Sequence, residues 1–276
     1  MNRKLTSLLF TLLFTALSIF AQDDYEEEID SSRFSFGINF GAHFANNNTA
    51  KIYTGSPSAT PFGIDFVIKQ QFNQQELLNF FGTPDYRVEE YPFDPVYRTA
   101  SEIGLHFAYQ FDSSFSNSFF IDVNIAQLKF EQLFTIGYED PLNQSIDPTT
   151  FQRFPIFGKE NRFHINLGVQ LSFYHNEGSN AYFSAFGNVN NVEMKRNYIV
   201  INDREYDLFH SDVNQAKQRL GGFGYGGGAG LGFKFDLTDQ LLADFYYNAY
   251  YTQINLKEEL QPYGSHHAIG LRIIWH

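Results

Sequence analysis

Cysteine is absent from all 276 residues. That excludes a secreted domain stapled by disulfides, lipid attachment through an amino-terminal cysteine and a structural zinc site built on thiolates. Long apolar runs are almost as scarce. After Leu5–Phe20 no stretch approaches the roughly 20 apolar residues that a membrane-crossing helix needs. Basic residues are few, 19 against 31 acidic ones for a formal net charge of −12, which argues against a nucleic-acid partner. Tryptophan occurs once, as Trp275.

What is present begins with an amino-terminal pattern. Asn2-Arg3-Lys4 precedes the apolar stretch Leu5–Phe20, and Ala21-Gln22 follow. Residues 1–21 are therefore expected to be a cleaved export signal. Six acids between Asp23 and Asp30 rule out continuation of a membrane helix, and residues 22–32 are read as a solvated periplasmic leader.

From residue 100 onward the chain runs repeatedly through about ten residues of strict apolar/polar alternation. In Arg162–Phe173 one face carries Phe163, Ile165, Leu167, Val169, Leu171 and Phe173. The other carries His164, Asn166, Gly168, Gln170 and Ser172. Strands are expected near 33–45, 100–111, 118–134, 162–174, 181–193, 222–236, 241–255 and 267–276. The links 112–117, 175–180 and 237–240 are four to six residues long, whereas 46–99, 135–161, 194–221 and 256–266 are long. Short turns on one side and long loops on the other are the pattern of an antiparallel, up-and-down transmembrane β-barrel, here of eight strands over residues 33–276. The composition agrees: 18% aromatic residues, with 32 Phe and 17 Tyr, suit girdles at two water–lipid interfaces. Tyr263 and Trp275 bracket the last run as interface residues.

One segment does not fit. Phe62, Ile64, Phe66 and Ile68 alternate within Pro61–Phe72, but a ninth spanning strand would put the two ends on opposite sides of the membrane. The segment is assigned to the first extracellular loop, 46–99, as a hairpin arm. Asn73–Phe81 is read as a short helix ended by Gly82 and Pro84.

The second face of each run lists the lumen: Asn39, Gly41, His43, Glu102, Gly104, His106, Gln110, Asp122, Asn124, His164, Asn166, Gln170, Gly230, Gly232, Lys234, Asp244, Asn248, Gly270 and Arg272. An eight-stranded barrel is just wide enough for side chains to fill. Lys234 and Arg272 are therefore expected to pair with Glu102, Asp122 and Asp244 in a polar network that closes the interior.

These runs, the signal, the missing cysteine and the closing segment His267-Ala-Ile-Gly-Leu-Arg-Ile-Ile-Trp-His276 resemble the small Gram-negative outer-membrane β-barrel superfamily, of the OmpX-like and PorT-like kind. The resemblance covers about residues 33–276 and rests on patterns rather than fixed residues. It implies residence in the cell outer membrane, contact with outer-membrane lipid and insertion by the barrel-assembly machinery, through a carboxy-terminal signal that includes Trp275. It implies nothing about activity. A departure is His276, which stands after the aromatic residue on which family members commonly end.

Candidate chemistry is sparse. Barrel closure sets the last strand beside the first, so His43, His266 and His267 form a candidate zinc or copper site near one rim. His164 beside a loop holding Ser145 and Asp147, and His210 beside Ser211 and Asp212, are the residues a lipid- or peptide-modifying enzyme would use. Gly222, Gly224 and Gly227 formally match a dinucleotide fingerprint, but they lead into an alternating strand rather than a helix. The glycines from Gly221 to Gly232 are read instead as leaving room inside the barrel for large side chains opposite or as letting the strand bend sharply. No cofactor is implied. The expectation is a non-enzymatic accessory or binding subunit whose outer loops contact a partner protein or ligand, with a barrel enzyme, a narrow channel and an exported soluble sandwich as rivals.

Overall fold

The computed structural model describes residues 33–111, 117–140, 148–176, 178–210, 220–257 and 261–275. The expected signal (1–21), the leader (22–32), Ser145, Asp147, Ser211, Asp212 and His276 lie outside the described residues.

Ten strands form one antiparallel sheet: β1 (Phe34–Phe44), β2 (Tyr86–Glu90), β3 (Tyr97–Gln110), β4 (Ser118–Glu139), β5 (Thr149–Asn176), β6 (Ser179–Ile201), β7 (Arg204–Asp207), β8 (Gly221–Thr238), β9 (Leu241–Gln253) and β10 (Tyr263–Trp275). Eight of them close a ring in the order β1, β3, β4, β5, β6, β8, β9, β10. The seam is the β1–β10 ladder, running from Phe36 opposite Trp275 to Phe44 opposite His267. The orientation follows the alternation. Leu167 and Leu231 are 61% and 54% exposed on the outer wall, while Asn166 and Arg272 are 0% and 2% exposed inside. With no water in hydrocarbon, a closed ring is the one sheet arrangement that satisfies every backbone donor at that depth.

Two aromatic belts flank the apolar wall. At the short-turn end Trp275 stacks on Phe36 at 6.1 Å between centroids, and Phe34 meets Tyr109 at 4.8 Å. At the other end Tyr263 stacks on Tyr251 at 5.7 Å and meets Tyr225 edge-on at 6.2 Å. Rings at both borders are what an interface rich in headgroups and water selects.

Strands β4, β5 and β6 are 22, 28 and 23 residues long, against 11 to 14 for β1, β3, β9 and β10. A spanning strand needs about 9–11 residues. The surplus rises above the ring, and β2 and β7 flank it: β2 pairs with β4 from Thr135 to Tyr138, and β7 pairs with β6 from Tyr198 to Ile201. The expected loops 135–161 and 194–221 are therefore largely strand, a correction to the sequence reading. Asn202 and Asp203, at φ 51° and 60°, make the β6–β7 link a two-residue turn, whose positive angles asparagine and aspartate tolerate.

The two faces exchange character at one level. Outward positions are apolar up to Ile125, Phe163 and Val189; β6 turns polar at Asn191, opposite Phe163, and Gln127, Asn161 and Glu193, which are in register, are polar on all three strands. Above that line the inward face turns apolar, with Phe130, Phe134, Ile136, Phe154, Ile156, Ile199 and Ile201 all buried. The first extracellular segment folds onto this inner face as a 3-10 helix (Asn47–Thr54) and two α-helices, α1 (Ile64–Ile68) and α2 (Gln71–Phe81). Ile52, Tyr53, Ile64, Val67, Ile68, Leu77 and Phe81 join the strand residues in one core. The expected hairpin arm at Pro61–Phe72 is thus the helix α1. Positions 64, 67 and 68 satisfy the helical period as well as 62, 64, 66 and 68 satisfy the strand period, and among the described residues strand pairing of the segment is limited to one antiparallel bridge between Phe62 and Phe209. The helix read at Asn73–Phe81 is present, closed by Gly82 at φ 71° with its N–H bonded to the Leu78 carbonyl.

Candidate functional site: a filled lumen under an extracellular cap

The lumen is organised in layers. Nearest the short turns, Arg272 of β10 donates from Nη2 to Asp122 of β4 at 2.8 Å and from Nη1 to Asp244 of β9 at 2.8 Å. Its guanidinium lies 3.9 Å from the Tyr246 ring centre. Tyr182 of β6 donates to Asp244 at 2.8 Å and accepts from Arg272 at 2.9 Å, while His106 of β3 sits 2.6 Å from the second Asp122 oxygen. Asn39 of β1 donates to Asn124 at 2.9 Å. Six of the eight ring strands thereby meet across the axis. The planar fork of arginine suits two carboxylates at once, and the pairing offsets the cost of burying all three charges.

Lys234 and Glu102 depart from the expected network. Lys234 donates to Gln170 at 2.6 Å and lies 4.8 Å from the Tyr182 ring centre, although Asp244 is its register partner. Glu102 meets neither Lys234 nor Arg272 in an ion pair; its Oε2 lies 3.2 Å from His43 Nδ1. The glycines of β8 do provide space: a Cβ on Gly232 would fall 2.2 Å from the Tyr182 ring.

One layer up, His43 (β1), Glu102 (β3) and His164 (β5) converge, each offering a ligand atom within 4.8 Å of the others. His266 stacks on His43 at 5.9 Å. His267 does not join them, and the expected trio is corrected accordingly. Neighbours in a strand face opposite ways, and His267 points outward to bond the Tyr247 hydroxyl at 2.7 Å. His164, read as opening its strand, instead lies midway along β5, because that strand begins at Thr149.

The next layer ties the cap to the barrel. Arg162 donates to Glu160 at 2.6 Å, and Glu160 accepts from the hydroxyls of Tyr53 in the 3-10 helix and Tyr97 in β3, each at 2.9 Å. Burial, the Glu160 charge and its hydrogen bond hold the Tyr53 phenol well above its ordinary value, so it stays a donor. Arg162 also reaches Thr49 and His266. Gly158 makes the seat, since a Cβ there would stand 2.3 Å from the Tyr53 ring. Above, Asn197 donates to the Tyr53 and Phe157 carbonyls at 3.0 Å each, which leaves its Oδ1 to accept from His210 Nε2 at 3.0 Å. His210, offered by the sequence as a residue of a barrel enzyme, is packed against this amide. None of His43, His164, His210 or His267 is hydrogen-bonded to a serine among the described residues.

An antiparallel up-and-down ring of eight strands, with an apolar outer wall, paired aromatic belts and a polar filled interior, defines the chain as a small transmembrane β-barrel of the outer-membrane type. No family model matches the chain, and no curated protein matches it. Among solved structures it is similar to neisserial surface protein A (6% identity, 88% of this chain and 95% of that one, TM-score 0.42). It is also similar to OprG of Pseudomonas aeruginosa (10%, 88% and 95%, 0.33) and to Ail of Yersinia pestis (11%, 87% and 96%, 0.29).

Proposed function

We propose that the chain is a non-enzymatic outer-membrane protein whose sealed barrel serves as a pedestal, and whose extracellular cap binds a partner protein of an outer-membrane complex. The observation that carries this reading is the outer face of the protruding sheet. There Leu133 and Phe151 are 52% and 62% exposed and Phe93 is fully exposed, above the level where the wall has turned polar. Beside them lies a recess of about 500 Å³ walled by Tyr91, Pro92, Phe93, Arg98, Glu131, Leu133, Arg153 and Pro155. Exposed apolar groups rimmed by charges of both signs are the anatomy of a protein-binding patch. The Tyr91 hydroxyl is bonded to Asp65 in the first turn of α1, so the recess wall is anchored to the cap.

The test is gentle solubilisation of the full chain and identification of stoichiometric companions, repeated with Leu133→Asp and Phe93→Asp. A companion held by the wild type and lost from both variants supports the reading. A chain that comes out alone and monomeric from its own membrane removes it.

A further inference from the structure

The geometry points to a divalent transition-metal site inside the lumen, with His43, Glu102 and His164 as its protein ligands and zinc the ion best matched to two imidazoles and one carboxylate.

Three observations converge on it. The ligand atoms come from three separate strands, so the ring itself and not a local motif brings them within 4.8 Å of one another. All three side chains are buried, at 1%, 3% and 4% exposure. Both ring nitrogens of His43 and of His164, and both oxygens of Glu102, lack an aligned hydrogen-bond partner among the described residues. In the layer below both carboxylates are partnered, since Arg272 donates from Nη1 to Asp244 and from Nη2 to Asp122, and of the His106 and Arg272 side chains only Nε2 and Nε stand without a partner among the described residues. A buried carboxylate without donors is costly, and a cation coordinated by it and two neutral imidazoles removes that cost.

The neighbours limit the set to three. His266 Nδ1 accepts from the Asn46 N–H at 3.0 Å and lies 3.2 Å from Arg162 Nη1, so its proton resides on Nε2 and it has no free lone pair for a metal. It packs on the His43 ring as support. Arg162 is already neutralised by Glu160. Four-coordinate zinc, with bonds of about 2.0–2.2 Å, sets its donors about 3.3 Å apart. Side-chain rotation closes the difference, since His43 and Glu102 already stand at 3.2 Å. The fourth position falls to water, the arrangement of two histidines and one glutamate around zinc with an exchangeable ligand.

The experiment refolds the full chain into detergent with zinc present, removes loosely held metal, and measures bound zinc and its affinity. Heat-shifted electrophoretic migration serves as the check on folding. One equivalent per chain is expected, with affinity weakened at least tenfold in Glu102→Gln and in His164→Ala and unchanged in His267→Ala. A wild type that retains no zinc, variants that bind like the wild type, or equal loss in His267→Ala would each overturn the assignment. Should both lumen variants fail to fold, the wild-type chain loaded with cobalt decides. Intense visible bands of a four-coordinate ion support the site, and the weak bands of a six-coordinate one refute it.

Discussion

Arg272 shows how much of this barrel depends on single side chains. Among the described residues it is the one cation paired with both Asp122 and Asp244, and all three groups are at most 2% exposed. Arg272→Met keeps most of the volume but leaves two carboxylates without their partner, a loss of about 3–5 kcal/mol for a broken buried pair. The expected result is a marked drop in the urea midpoint of the heat-shifted band, largely recovered when Asp122→Asn and Asp244→Asn are added. His210 acts through pH. Burial, with the Lys257 charge adding to it, pushes this imidazole from its ordinary 6.5 down to about 4. The folded state therefore binds fewer protons than the unfolded one between those values. Its contribution is complete above about pH 6.5 and is lost as pH falls toward about 4. Hydrogen exchange at Arg204–His210 should accelerate over that window, and His210→Gln should flatten the response.

At the scale of elements, the cap is held by a matched pair, the 3-10 helix and the glycine of β5 on which Tyr53 rests. Gly158→Val places branched carbon where the ring now lies and pulls the hydroxyl from Glu160. The ring pairing from Ala126 downward does not involve that contact. The variant is expected to insert and keep its heat-shifted migration while protease cleavage within 46–99 rises at least tenfold. Equal protection of that segment in mutant and wild type would contradict the assigned seat. The strand ladder below the polar line was legible because period two holds along both faces there. The extension was not: once Gln127, Asn161 and Glu193 face outward the alternation reverses its meaning, and polar residues in β5 such as Arg153, Lys159 and Asn161 read as loop. Two signals were available. The inward series Phe130, Phe134, Ile136 keeps the same parity as Asp122 and Asn124, and Asn202-Asp203 follows a β-branched run in the manner of a tight hairpin.

For the whole molecule, the interior is filled at two levels: cross-lumen ion pairs lie below, and a helical cap with its own apolar core lies above. Reconstitution into planar bilayers is expected to give no unitary conductance steps, and open-channel steps from the wild type would show that the interior admits water and ions. Lumen residues were readable one strand at a time, but their partners were not. Alternation says which way a side chain points and is silent on its height, so Glu102 and Lys234 were matched by charge when their layers differ. His266 and His267 show the same limit at its sharpest, adjacent residues on opposite sides of one wall.

The surface that buries the cap exists only after β4, β5 and β6 have zipped together above the bilayer. Helices α1 and α2 pack their apolar residues against those strands, so burial of the cap is expected to follow strand pairing and insertion. Completion of the exterior is therefore a late event that reports on insertion: a correctly threaded chain finishes its crown, and a stalled one leaves it open to proteases.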